Sequence, residues 1–496
     1  MKSFHAVDRN RREYHRDASV NSVHRSSLLV PELAGCRAVI SFNNHFLLKR
    51  GYERVTIKVT GVGDDGRAVA ARSMFVEDPR VYTVDLRAFV DTEAYVMSYV
   101  VEFFSVDNLF IPFPAVMVNH VGDDFINVVH SYNRVVNDVF EDDSVNETTV
   151  PESSVDCQID EDVDTFVQFM SGPLSSGRVE LSIEITGRDL HKSGRWSSDP
   201  ARLQPCDISV REIVGEGTLA PLGTTIRVEQ PKQAMFYGRL LSGIRSRSSH
   251  AFSANHSYYD SSEVREYFDS PEAARRLPYF EGCRNRVILY PICSPSELDI
   301  WVDFGASGSS SSCLLVSPGT ESVLLDIDEF VEELGGHAPT SFVVRSRNRT
   351  GGSPTRVSLQ ARYGSPIGSP LEASINMVLH HDEVFVGRAG SYTWGQVVAA
   401  HGYESRLGIG WGDAHAESAP VEVSIFNDEG LVARESLVVA ADGWCLFDTP
   451  TIAGWAATRS DPSFVWFAAR SEQLGLTALA FHWDSLSGHA SGEHSF

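Results

Sequence analysis

The chain has 496 residues, 42 Lys and Arg against 66 Asp and Glu, and a formal net charge of −24. That balance excludes a general nucleic-acid binder, because neutralising phosphates requires a basic surface. No stretch approaches the ~20 consecutive apolar residues of a spanning helix. The opening "MKSFHAVDRNRREYHRD" lacks the apolar core of a secretory signal, so a cytoplasmic protein with no membrane span is expected.

Seven cysteines without a C-x-x-C read as reduced thiols rather than a disulfide framework. At ~100–150 residues per domain, the length implies several domains.

In chain order, residues 1–35 form an N-terminal arm whose arginines are diluted by Asp8, Glu13 and Asp17. A repeat of about 120 residues follows. "RVTIKVTGVGDDG", "RVELSIEITGRD", "SELDIWVDFGASG" and "APVEVSIFNDEG" each alternate apolar and polar residues and then meet a turn. In the first, Val55, Ile57 and Val59 share one face, the period-two mark of a half-buried strand. Asp65-Gly66 and Glu429-Gly430 supply tight reversals, so each stretch reads as the first arm of a hairpin. Ile57, Ile183, Ile300 and Val423 are separated by 126, 117 and 123 residues.

A second marker keeps the same step. "NVVHSYNR", "SANHSYYD" and "SGEHSF" place His130, His256 and His494, with His380 of "MVLHHD" filling the third place. A third marker runs a strand into Asp85, Asp326 or Asp448, each suited to capping a short helix. The second copy has Glu229 near that place, and "LHKSGRWSSDPARLQPCD" reads as an insertion there.

The expected fold is therefore mostly β, with four tandem β-sandwich-like units at 36–135, 163–260, 283–382 and 386–496. An acidic linker fills 136–162; from Asp138 to Asp164 there are eleven carboxylates and no Lys or Arg. A helical linker fills 261–282, where "SPEAARRL" has a Ser N-cap and a Pro at the first helical position.

The nucleotide-binding, hydrolase and kinase motifs are missing. Histidines are the distinctive feature: His120 with His130, His250 with His256, His380 with His381, and His489 with His494. Imidazoles with carboxylates suit a transition metal. The spacings within the pairs, 10, 6, 1 and 5, do not hold one geometry, so neither a metal site nor a cofactor is expected.

The plain reading is that histidine and aromatic rings pack at a domain seam. The functional reading is a polar and aromatic lining for a ligand, formed by His130, Tyr132, His256, Tyr258, His380, His482, His489 and His494. His256 with Tyr258 is the alternative acid–base pair, placed on one strand face for proton removal.

The last unit, "APVEVSIFNDEGLVARESLVVAADGWCLFDTP" with "SFVWFAARSEQLGLTALAFHWDSLSGHASGEHSF", resembles the sensory rhodopsin transducer family. The resemblance covers about 100 residues and is looser in the other units. It implies small sandwiches that assemble as tetramers, hence four fused copies forming a pseudo-tetramer, and a superfamily that binds small molecules such as sugars. It implies no rhodopsin and carries over no binding residue.

The function expected is a non-catalytic protein that binds a carbohydrate or other small polar ligand, or scaffolds protein partners. The alternatives are an enzyme acting on a polysaccharide or nucleotide-sugar and a structural particle or surface-layer component.

Overall fold

A computed structural model describes residues 24–105, 115–130, 133–134, 149–173, 177–233, 237–259, 267–290, 298–306, 309–316, 322–333, 338–349, 351–354, 357–381, 389–457 and 460–496. The fold is mostly β, built from small antiparallel sheets stacked as sandwich-like pairs.

One connectivity recurs in every pair. With its strands counted in chain order, one sheet runs first–sixth–third–fourth and the other fifth–second–seventh–eighth. In the last pair these are Ser391–Ala399, Tyr403–Trp411, Ala419–Asn427, Gly430–Val439, Trp444–Phe447, Ser463–Ser471, Leu476–Asp484 and Ala490–His494.

The four alternating stretches are the third strands: Val55–Val62, Val179–Gly187, Leu298–Ala306 and Ala419–Asn427. Each forms a hairpin with the strand after it. Val55, Ile57 and Val59 are fully buried between the sheets while Thr56 and Lys58 are half-buried, as β-branched alternation requires. Gly66 turns the first hairpin at φ 73°, where a side chain would be strained.

A short helix follows every fifth strand: Leu86–Val90, Val210–Val214, Ile327–Glu333 and Thr449–Trp455. The Asp85 carboxylate accepts from Ala88 N at 3.0 Å, and that of Asp448 from Thr451 N at 3.2 Å. In the second pair the cap is Ser209, accepting from Glu212 N at 3.4 Å, and not Glu229. Glu229 lies within the sixth strand, Thr225–Pro231.

Two other expectations are corrected. "LHKSGRWSSDPARLQPCD" is no insertion: Leu190–Ser198 is the ordinary fourth strand and Pro205–Ser209 the fifth. "SPEAARRL" is no helix. Glu272–Pro278 pairs along its length with Ser341–Arg347 as the first strand of the third pair, burying Ala273, Arg275 and Leu277. Pairing with a waiting strand edge overrides the local capping signal.

First strands also lie in the other segments read as connectors. His24–Pro31 falls within the N-terminal arm and Thr149–Ser154 within the acidic linker. Among the described residues no helix is long and apolar enough to cross a membrane.

The eighth, closing strands are Ile126–His130, Phe252–His256, Ala373–Val378 and Ala490–His494. They touch in a closed cycle: first to second, second to third, third to fourth, fourth to first. The seams are continuous with the sandwich cores. Trp466 of the fourth pair is fully buried and donates from Nε1 to Ser41 Oγ of the first pair at 2.7 Å.

Candidate functional site

Register defines the axis where the closing strands meet. Met117 pairs with His130, Leu241 with His256, Leu359 with Met377, and Leu479 with His494. The third member of the histidine set is thus Met377, not His380. His380 belongs to the segment that leaves the closing strand to bridge the first strand at Ala274. There its Nε2 lies 2.9 Å from Arg275 Nη1.

His130, His256 and His494, distant in sequence, converge at one end of the axis. The rings of His130 and His256 are 4.5 Å apart between centroids, and those of His130 and His494 4.8 Å. Nε2 of His130 lies 3.2 Å from Nε2 of His256. Glu493, one residue before His494 and buried, points into the group. Its Oε2 is 3.0 Å from His130 Nδ1, and its Oε1 is 3.8 Å from His494 Nε2.

The backbone turns a carbonyl toward two of the rings. His256 Nδ1 lies 2.9 Å from the carbonyl oxygen of Ser257, and His494 Nδ1 lies 2.6 Å from that of Ser495. Carbonyls only accept, so Nδ1 of His494 carries the proton; Nδ1 of His256 also faces Arg239 Nη1, a donor, at 3.1 Å. In both of these His-Ser sequences the serine turns its carbonyl back onto the preceding ring.

Burial holds His256 well below the ordinary imidazole range, helped by the Arg239 guanidinium beside it. Burial likewise brings His494 down to about 4, against the pull of Glu493. For Glu493 burial acts to raise the carboxyl, but the nearby His130 and the backbone N–H of His494 outweigh it and hold the group low.

The remaining sequence candidates lie elsewhere. Tyr258 is buried and donates to Met377 O at 2.5 Å. With His256 also buried, the pair offers no open face to a polysaccharide chain. His482 is buried at the seam of first and fourth pairs, with Nε2 2.8 Å from Ile126 O, and burial lowers it to about 4. His489 sits at the opposite end of the closing strand, 3.5 Å from Asp124. Tyr132 lies outside the described residues.

Sequence reading missed two features. One is Glu493, which stands out only once four closing strands are superposed by register; its counterparts are Val129, Asn255 and Asn376. The other is a groove on the solvent face of the fourth pair's outer sheet. This groove, of about 520 Å³, is lined by Tyr392, Glu422, Ser424, Arg434, Ser436 and Arg470, together with Phe426 and with Leu48 of the first pair. The second pair carries a similar groove of about 280 Å³ lined by Ser182, Glu184, Ser193, Arg195, Arg227 and Glu229. Both draw serine, glutamate and arginine from the third, fourth and sixth strands.

No family model matches the chain, and no curated protein matches it. A solved structure described as a tetra-tandem repeat in the extending region of a large adhesion protein aligns over 95% of this chain and 98% of its own. The identity is 11% and the TM-score 0.08, an overlap too poor to carry fold or function across.

Proposed function

We propose that the chain is a non-catalytic protein of four tandem β-sandwich units, fused into a pseudo-tetramer, that binds a carbohydrate or similarly small polar ligand on its outer sheets. The observation that carries this reading is the recurrence of one polar groove at one place in the fold, on the second and fourth units.

Rigid strands present fixed donors and acceptors there, as hydroxyl recognition requires, and Tyr392 adds an aromatic face at the edge of the larger groove. Arg470 Nε donates to Glu422 at 2.6 Å, placing a cation and a carboxylate side by side on the groove floor strands. The buried histidine cluster plays no part in this binding.

The test is saturation-transfer NMR and calorimetry of the full chain against a panel of mono- and disaccharides, then of Tyr392→Ala and Arg434→Ala. Saturable binding that weakens at least tenfold in both variants supports the reading. Absence of binding across the panel, or binding indifferent to both changes, overturns it.

A further inference from the structure

Two imidazoles and a buried carboxylate converge at the axis. His130 Nδ1 lies 3.0 Å from Glu493 Oε2, and its Nε2 lies 3.2 Å from His256 Nε2. His256 in turn faces Ser257 O from Nδ1 at 2.9 Å and Arg239 Nη1 at 3.1 Å.

His494 carries its proton on Nδ1 toward Ser495 O, so its Nε2 turns a lone pair toward Glu493 Oε1 at 3.8 Å. The carboxylate is 2% exposed in its side chain. It accepts from His130 N at 3.3 Å, His494 N at 3.0 Å and Asn255 Nδ2 at 3.3 Å, and from no Lys or Arg among the described residues. Two imidazole nitrogens and a carboxylate thus converge on one point.

We propose that His130 Nδ1, Glu493 and His494 Nε2 form a site for a divalent first-row transition metal of the zinc class. The three ligand atoms lie within 4.8 Å of one another. Two ligands at 2.0–2.1 Å from a tetrahedral ion stand about 3.3 Å apart, so rotation of the partly exposed His494 ring completes the set. Two imidazoles and one carboxylate are a zinc-type donor set, and three protein ligands leave a fourth position for water.

The supporting contacts are those metal-bound imidazoles use: a backbone carbonyl orients His494 and a second imidazole orients His130. Arg239 is engaged with His256, outside the three ligands. Entry is open through His130 and His494, whose side chains are 14% and 24% exposed. The ligands come from the first and fourth units, so the spacing of histidines within one unit is not the relevant spacing.

The experiment treats the full chain with chelator, then titrates Zn²⁺ by calorimetry and Co²⁺ by visible absorption. One saturable equivalent with ligand-field bands of a four- or five-coordinate Co²⁺ is expected, with a rise in thermal midpoint as metal is added. Glu493→Gln and His494→Gln are expected to weaken binding at least about tenfold, the scale seen even for outer-shell partners.

Absence of a saturable equivalent overturns the proposal, as does binding that survives both substitutions. Should either variant fail to fold, ¹⁵N NMR of the His130 ring in Zn²⁺-treated wild type decides. A metal-shifted, unprotonated Nδ1 supports the site, and protonation of both ring nitrogens shows that a proton holds the place instead.

Discussion

Glu372 and Glu493 are both buried beside the axis, and their surroundings differ in kind. Around Glu372 the chain supplies cations. Arg286 contacts it directly, Arg284 flanks it, and Arg362 donates from Nε at 3.3 Å. The same Arg362 donates from Nη1 to buried Asp156 at 2.7 Å, joining the second and third units. Around Glu493 stand imidazoles, one amide and backbone N–H groups. A carboxylate taken out of water needs a partner charge, because burial disfavours its ionised form. One seam carries that charge in its own sequence; the other presents acceptors suited to a charge from solution.

The largest effect is expected at the self-sufficient seam. Arg362→Met leaves Asp156 and Glu372 without their shared cation and should cost about 3–5 kcal/mol in chemical denaturation. Burial already pushes the Asp156 carboxyl up, with Arg362 the main opposing influence. In the variant its folded pKa rises further above the unfolded value. The deficit should therefore be greatest at neutral pH and shrink toward pH 4, as both states take up the proton. An unchanged melt at pH 7 would break the comparison.

The seam between the first and second pairs tests burial of an imidazole that has no hydrogen-bond partner among the described residues. His120 is fully buried against Phe252, and burial lowers it to about 4. A base with a folded pKa below its unfolded value stabilises fully above the unfolded pKa, near 6.5, and less as pH falls through the folded one. Stability should fall between pH 6.5 and 4, by up to about 1.4 kcal/mol per pH unit for each such histidine. His120→Phe should make that slope shallower; an identical slope would remove His120 from the account.

Glu493→Gln sharpens the contrast. In chelator-treated protein it removes a buried charge that no arginine among the described residues contacts, so it should change stability by less than about 1 kcal/mol. A loss as large as that of Arg362→Met would mean that the two seams work alike. Asp85→Ala, at the helix cap away from both seams, should cost about 1 kcal/mol and leave metal uptake unchanged.

The third strands and the helix caps at Asp85 and Asp448 were legible because period-two alternation and capping aspartates are local physics. The first strands were illegible for the same reason. Thr149–Ser154 carries no apolar alternation, and Glu272–Pro278 carries a helix-start signal, so only pairing with the sixth strand fixes them. The meeting of His130, His256 and His494 was visible only as a recurring tripeptide. Their contact depends on closing strands from different units facing one axis, a long-range fact that spacing within a unit does not encode.

The tail of every closing strand crosses from the inner sheet to the outer one. Arg134 pairs with Leu28, Tyr258 with Ser153, His380 with Ala274, and Phe496 N donates to Trp394 O. One segment thus belongs to both layers of its own sandwich and to the ring shared with two neighbours. Opening any sandwich strips an axis strand from the units on either side. The chain should accordingly lose its structure in a single cooperative step, with a denaturant slope that scales with the whole molecule and not with a quarter of it.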